Sequence, residues 1–410
     1  MSRKEFVADT LFNATATVMV SLGALGVSVV CARYYGADTF GKYAFALSVV
    51  VPVFVMGGFN LRQLASSYPD AEFDAEQFDR VQVLGLALSL LVCLLIAFAI
   101  YATNGSEAHV TAVVLVVTIL KLVDTAAEGR FGHLAREKRF RQVASRKTQR
   151  ALLTVSAFCL CTTVNGSFLL SLLAMTSASA ALLAIHDGSI WLKRTSAGGF
   201  FAPPAKSILG TALVSGAAAS MDSLAGMLPR IALGAAQSYE ALGHYTAAMQ
   251  IPLLFAIFVG ALGNAAIPRW RQTRERRVVL KSLLLIQSVV ALLVASLYLL
   301  AYFLGDWLLA FVYGDSFSNI GWILRAVVVG SAFWFLAGIN GCALQAFGAY
   351  RWQLAATIGA VLVMFLTLAF FYLQTEEGVV LSRVVTVYVL AMFVRFGMST
   401  VGVLRSVWQC

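Results

Sequence analysis

Leu84-Gly85-Leu86-Ala87-Leu88-Ser89-Leu90-Leu91-Val92-Cys93-Leu94-Leu95-Ile96-Ala97-Phe98-Ala99-Ile100-Tyr101 carries no charge, and the nearest charges on either side are Arg80 and Glu107. At about 1.5 Å per residue, the uncharged stretch 81–106 that contains it is long enough to cross a hydrocarbon layer about 30 Å thick. Lipid offers no partner to a backbone N–H or C=O, so the run must be helical. Comparable runs recur along the chain, which is 60% apolar and 12% charged, with a mean hydropathy of +0.82. Soluble domains are about 45–50% apolar and about 25% charged, and one buried core cannot absorb the excess. The pattern predicts an all-α, polytopic membrane protein of about twelve spans: 11–33, 43–65, 82–102, 108–128, 149–164, 168–192, 207–234, 244–267, 281–304, 321–346, 352–373 and 379–404. Arg3 and Lys4 precede the first run, which lacks a small-residue cleavage pattern and reads as a retained span.

Charge sets the orientation. Eight Lys/Arg lie between residues 130 and 150, and six more between 269 and 281. With Arg3, Lys4, Arg62, Arg80, Lys193, Arg194, Lys206, Arg351 and Arg405, 23 of the 30 basic residues fall on one side of the twelve-span arrangement. The opposite connections (34–42, 103–107, 165–167, 235–243, 305–320 and 374–378) hold only Lys42. The positive-inside rule makes the basic side cytoplasmic and places both termini there. Basic residues that alternate with spans follow topology, so the net charge of +10 does not point to nucleic acid.

An internal repeat divides the chain. Gly36-Ala37-Asp38-Thr39-Phe40-Gly41-Lys42-Tyr43 matches Ser238-Tyr239-Glu240-Ala241-Leu242-Gly243-His244-Tyr245 at an offset of 202 residues. The acid, the second Gly and the Tyr coincide, and an apolar helix follows each copy. With six spans per half, the repeat predicts two six-helix bundles, 1–200 and 201–410, related by a pseudo-twofold axis along the membrane normal. A fainter echo lies in the preceding spans. Asn13, Thr17, Ser21 and Ser28 share their spacing with Ser207, Thr211, Ser215 and Asp222, a polar stripe suited to lining something wet.

Six cysteines, mostly inside apolar runs, form no C-x-x-C spacing and read as small buried hydrophobes. Four scattered histidines give no metal cluster, and no cofactor or metal is expected.

The segment Ala32-Arg33-Tyr34-Tyr35-Gly36, with Phe40-Gly41-Lys42-Tyr43 and Gly57-Gly58-Phe59-Asn60-Leu61-Arg62, resembles the start of Wzx-type polysaccharide flippases. That family shares a superfamily with lipid II flippases and MATE multidrug exporters. Arg230-Ile231-Ala232-Leu233, Leu242-Gly243-His244-Tyr245 and Ile267-Pro268 resemble its second-half signature. Phe311-Val312-Tyr313-Gly314-Asp315-Ser316-Phe317 and Ala343-Leu344-Gln345-Ala346-Phe347-Gly348 resemble its tenth-helix region. The family commonly has Asp before the Arg of the seventh helix, where this chain has Pro229. The resemblance implies a MATE-like fold around a hydrophilic cavity. It implies alternating-access transfer of an undecaprenyl-pyrophosphate-linked oligosaccharide across a bacterial inner membrane for surface polysaccharides such as O-antigen lipopolysaccharide. The implied partners are the lipid-linked oligosaccharide, the bilayer, and the polymerase and glycosyltransferase machinery.

Ionisable residues inside spans ask for a reason, because a mid-membrane charge costs about 2.5–3.5 kcal/mol on insertion scales. Lys121, Asp124 and Glu128 share one face of the fourth span, either as an intrahelical ion pair with a snorkelling glutamate or as a cavity-lining cluster. Asp222 lies near mid-span in the seventh helix, and these three acids are the ion-coupling residues to test. Arg33, Arg230, Arg325 and Arg383 sit near outer helix ends, and Arg62 sits at the inner end of the second span. Arg395 lies deep in the twelfth, with no acid in the same span. A guanidinium's planar fork matches phosphate oxygens. Arg33, Arg62, Lys121, Arg230, Arg383 and Arg395 are therefore the substrate-binding residues to test. The alternative is snorkelling for Arg33, Arg62, Arg230 and Arg383, the intrahelical pair for Lys121, and for Arg395 a cross-helix pair with Asp124, Glu128 or Asp222.

Two other functions compete. A drug or ion antiporter of the same architecture would line its cavity with acids and aromatics rather than arginines. A membrane glycan polymerase would need a large outer loop with catalytic residues. The longest outer connection, 305–320, offers Asp306 and Asp315 without His or Arg, so a non-enzymatic transporter is expected.

Overall fold

The computed structural model describes residues 3–62, 64, 75–103, 108–196, 206–272, 276–374 and 381–409. Arg274 and the connections 104–107 and 375–378 lie outside the described residues, as do the side chains of Arg3, Lys4, Asn13, Lys193, Arg194, Lys206, Ser207, Pro268 and Arg276.

Regular structure among the described residues is helical. The helices are α1 (Arg3–Gly57), α2 (Ala75–Thr103), α3 (Ala108–Arg136), α4 (Phe140–Asn165), α5 (Phe168–Ser196), α6 (Lys206–Ala235), α7 (Tyr239–Gln272), α8 (Arg276–Tyr313), α9 (Gly321–Ala346), α10 (Tyr350–Gln374) and α11 (Leu381–Gln409), with a 3-10 turn at Asp315–Phe317. Ten of the eleven long helices have the length and apolarity to cross a membrane. The exception is α4, whose opening turns carry Arg141, Arg146, Lys147 and Arg150. The protein is a multi-pass membrane protein.

The first two expected spans are two helices that meet within α1 at Gly36, whose backbone (φ 79, ψ 176) is not helical. Glycine alone enters that region without a Cβ penalty, so the expected outer connection 34–42 is a kink rather than a loop. The tight Asn165-Gly166 junction does form. Gly166 closes α4 in the left-handed conformation, its N–H bonding to the Thr162 carbonyl. The 305–320 connection shortens, because α8 continues to Tyr313. Asp306, inside that extension, accepts a 2.7 Å bond from the backbone N–H of Gly321 at the start of α9. A carboxylate in that position satisfies an orphan donor at a helix N-terminus.

The chain forms two compact units. Unit 1 comprises Met1–Tyr34 and Ala46–Ser223, and unit 2 comprises Tyr35–Phe45 and Leu224–Cys410. In unit 1, α3 packs on α2 and α5, and α4 packs on α5. Phe59, Leu61, Phe78, Val81, Ile208 and Ala212 form one buried cluster, and Ala127, Phe131, Leu134 and Val143 another. In unit 2, α9 is the central helix, packed by α7, α8 and α11.

Candidate functional site

In unit 1 the charges gather along α3. Lys121 Nζ lies 3.0 Å from Asp124 Oδ2, the i,i+3 pair that the spacing allowed. Arg150 of α4 meets the other Asp124 oxygen at 2.7 Å and also donates to Ser179 of α5. One turn on, Glu128 stands between Arg62 Nη1 at 3.3 Å and Lys147 Nζ at 3.2 Å. Four cations therefore surround two carboxylates. The group is partly exposed, with the Arg62 side chain 35% accessible and Glu128 46%.

Arg62 reaches Glu128 because the backbone bends. Gly58, Phe59 and Asn60 form a turn after α1, and Phe59 and Asn60 both have positive φ, near 50°. Non-glycine residues are rarely held there unless their surroundings over-determine them. Here Phe59 is buried, and Asn60 Nδ2 donates to Ser215 Oγ at 3.4 Å. Below this network, Asp187 of α5 binds Arg130 at 3.5 Å and Arg146 at 3.0 Å, and Asp79 meets His133 at 2.8 Å.

Unit 2 holds a different arrangement. Arg230, five residues before the end of α6, is 6% exposed. Its Nη1 lies 3.5 Å from the Met227 sulfur, while its Nε is buried without a partner. Among the described titratable groups, three phenols act electrostatically on it, Tyr245 of α7, Tyr313 of α8 and Tyr388 of α11. The hydroxyls of Tyr245 and Tyr313 are also buried without partners, and the Tyr388 hydroxyl is 3.4 Å from Ser331 Oγ. Arg395, two turns beyond Tyr388 and 8% exposed, acts electrostatically on the same phenol. A satisfied network lies nearby in sequence. Asn340 of α9 accepts from Gln287 at 2.7 Å and donates to Ser399 and Thr400 of α11 at 3.1 and 2.9 Å.

The two repeat turns meet within unit 2. A Cβ added at Gly41 would overlap the Tyr239 carbonyl, and one added at Gly243 would overlap the Ala37 carbonyl. The contact is reciprocal under the 202-residue offset, since 37 pairs with 239 as 41 pairs with 243. Around it, Phe40 stacks on Tyr313 at 6.2 Å, and Phe45 packs edge-on to Tyr239 at 5.9 Å.

The remaining candidates are dispersed. Arg383 lies 5.4 Å from the Phe371 ring and Arg325 5.6 Å from Tyr302, within reach of a cation–π attraction. Arg33 and Asp222 are exposed. Of the polar stripe, Ser21 and Ser28 donate to carbonyls of their own helix, at Thr17 and Ala24. Sequence reading counted Lys147 and Arg150 only as topological charges and overlooked Tyr245, Tyr313 and Tyr388 as a group. Among the described residues no three His, Cys, Asp or Glu side chains are placed to hold a metal ion.

Residues 6–274, about two thirds of the chain, match the family described as polysaccharide biosynthesis protein. No curated relative matches. Among solved structures, the lipid II flippase MurJ in an inward closed conformation is similar at 14% identity, covering 97% of this chain and 87% of that one, with a TM-score of 0.68. An inward-facing multidrug resistance MATE family transporter of the MOP superfamily is similar at 16% identity, covering 96% and 94%, with a TM-score of 0.65. A MOP superfamily transporter from Pyrococcus furiosus is similar at 15% identity, covering 97% and 96%, with a TM-score of 0.54. At these identities the likeness is one of fold, and that fold is MATE-like. With its family resting on the sequence match and its architecture on the structural one, the chain belongs to the polysaccharide biosynthesis protein family.

Proposed function

We propose that this protein is a Wzx-type flippase that moves an undecaprenyl-pyrophosphate-linked oligosaccharide from the cytoplasmic to the outer leaflet of a bacterial inner membrane. The observation that carries this reading is the cation excess around Asp124 and Glu128. A pyrophosphate entering the group competes with the two carboxylates for Arg62, Lys121, Lys147 and Arg150. Each new bond to phosphate releases a bond to carboxylate, so binding is an exchange rather than a deep well. A carrier needs that property, because the substrate must leave again. Partial exposure of the group lowers the cost of each exchange. Arg33, Arg383 and Arg395 are assigned to later phosphate or glycan contacts along the route. Asp124, Glu128 and Asp222 are assigned to ion coupling. Polymerase and glycosyltransferases are the expected neighbours in the pathway.

Membrane vesicles containing the purified protein test the reading. A labelled polyprenyl-pyrophosphate oligosaccharide should cross to the far leaflet, faster than in empty vesicles. Export of a lipophilic cation with no movement of the glycolipid would replace the flippase with the antiporter, the reading that likeness to a MATE transporter favours. The orientation has its own test in a cysteine-free background. Ser145→Cys should label from the cytoplasm and Ser106→Cys from outside, and the reverse pattern overturns the topology.

A further inference from the structure

Arg230 poses a problem of charge. A guanidinium stays protonated in every protein setting, and a buried charge is costly unless paired or fully hydrogen-bonded. Among the described residues no carboxylate pairs with Arg230, and its buried Nε has no acceptor. Of the phenols that act electrostatically on it, the Tyr245 and Tyr313 hydroxyls are themselves buried without partners. A guanidinium only donates, and a phenol that finds no donor for its oxygen can still turn its one O–H toward an acceptor, so all three orphaned groups can offer hydrogens. A water molecule would accept some of these bonds but leave the charge unanswered. Donors around an unbalanced positive charge are the complement of an anion.

The enclosure limits its size. Tyr245 and Tyr313 are fully buried. Phe40 stacks on Tyr313 from the Tyr35–Phe45 segment, and Phe317 lies 5.4 Å from the same ring. Tyr388 lies edge-on to Tyr245 at 6.5 Å, with the Arg395 charge within its reach. A sugar or a polyprenyl chain would need this packing dismantled, whereas a monatomic ion would not.

We infer that Arg230, Tyr245 and Tyr313 form a closed binding site for a small inorganic anion of the halide class, held within unit 2. This anion is a resident of the fold rather than the cargo, so the site stands or falls independently of the flippase reading.

The test is thermal unfolding of the purified full-length protein in sodium chloride, bromide, gluconate and sulfate at matched ionic strength. Chloride and bromide should raise Tm saturably above gluconate, because a ligand bound only by the folded state stabilises it by mass action. The rise should shrink in Tyr245→Phe and in Tyr313→Phe, which each remove one donor and keep the ring, and vanish in Arg230→Met. Crystals grown in bromide should show anomalous scattering beside Arg230 Nε. Equal Tm in chloride and gluconate overturns the inference, as does a halide effect that survives all three substitutions. Stabilisation by sulfate without chloride overturns the halide assignment in favour of a polyatomic anion such as a substrate phosphate. If Arg230→Met does not fold, the two Phe variants decide.

Discussion

In unit 1, Asp124 and Glu128 each stand between two cations and remain partly exposed. In unit 2, Arg230 is enclosed by phenols, and no described carboxylate pairs with it. Both are intramembrane charges of a kind that a sequence flags equally, but they are held differently. The first group has spare cations and partial exposure, so its ion pairs can be traded one for another at small cost. The second is buried, with Arg230 only 6% exposed, so whatever answers the charge must be built in or bound. Exchange belongs to the exposed group and permanence to the enclosed one.

The sharpest way to break this contrast is to strip the exposed group of its surplus. Arg62→Ala combined with Lys147→Ala removes both cations from Glu128 and should lower glycolipid transfer by roughly 100-fold or more, on the strength of two charge-assisted bonds. Transfer rates normalised to folded protein check it, and near-normal transfer would remove the network from the mechanism. Next in size, Asn340→Ala should cost unit 2 about 2–3 kcal/mol, because Gln287, Ser399 and Thr400 lose a shared buried partner. Chemical denaturation measures that loss. Arg230→Met in gluconate, where no halide is present, should be neutral or stabilising by about 1 kcal/mol, since an apolar side chain replaces a buried ion. A loss of several kcal/mol there would mean that the guanidinium has a protein partner after all. The smallest effect belongs to the surface. Asp38→Asn breaks the i,i+4 pair with Lys42, 2.9 Å apart, and should cost about 0.3–0.5 kcal/mol at low salt and nothing measurable in 1 M salt.

The architecture was legible because hydrocarbon imposes one rule on every segment: about twenty apolar residues and a helix. What escaped reading was local. The Gly36 kink looks like a loop in sequence, since Tyr34-Tyr35-Gly36-Ala37-Asp38 carries turn residues, and only the backbone shows that two helices meet there across a single non-helical residue. Gly305-Asp306 looks like a span's end, because a carboxylate there reads as solvent-facing until its bond to Gly321 is seen. The Lys121–Asp124 pair could be read from spacing on one helix. Arg62 and Lys147 could not be matched to Glu128, because they arrive from other helices by way of a strained turn at Phe59 and Asn60. Tyr245, Tyr313 and Tyr388 come from three helices and carry no charge, so nothing in their sequence settings linked them to Arg230.

The reciprocal seating of Gly41 and Gly243 has a consequence for ancestry. A contact that maps onto itself when two copies are exchanged is the geometry of an isologous dimer interface. A six-helix chain bearing one such glycine would meet its twin through it, and any substitution would strike the interface twice. In a single chain that holds both glycines the constraint is absent, and Gly41 and Gly243 can mutate separately. Because both lie in one contact, displacement by the first alanine makes room for the second. The double variant Gly41→Ala, Gly243→Ala should therefore cost less than the sum of the single ones.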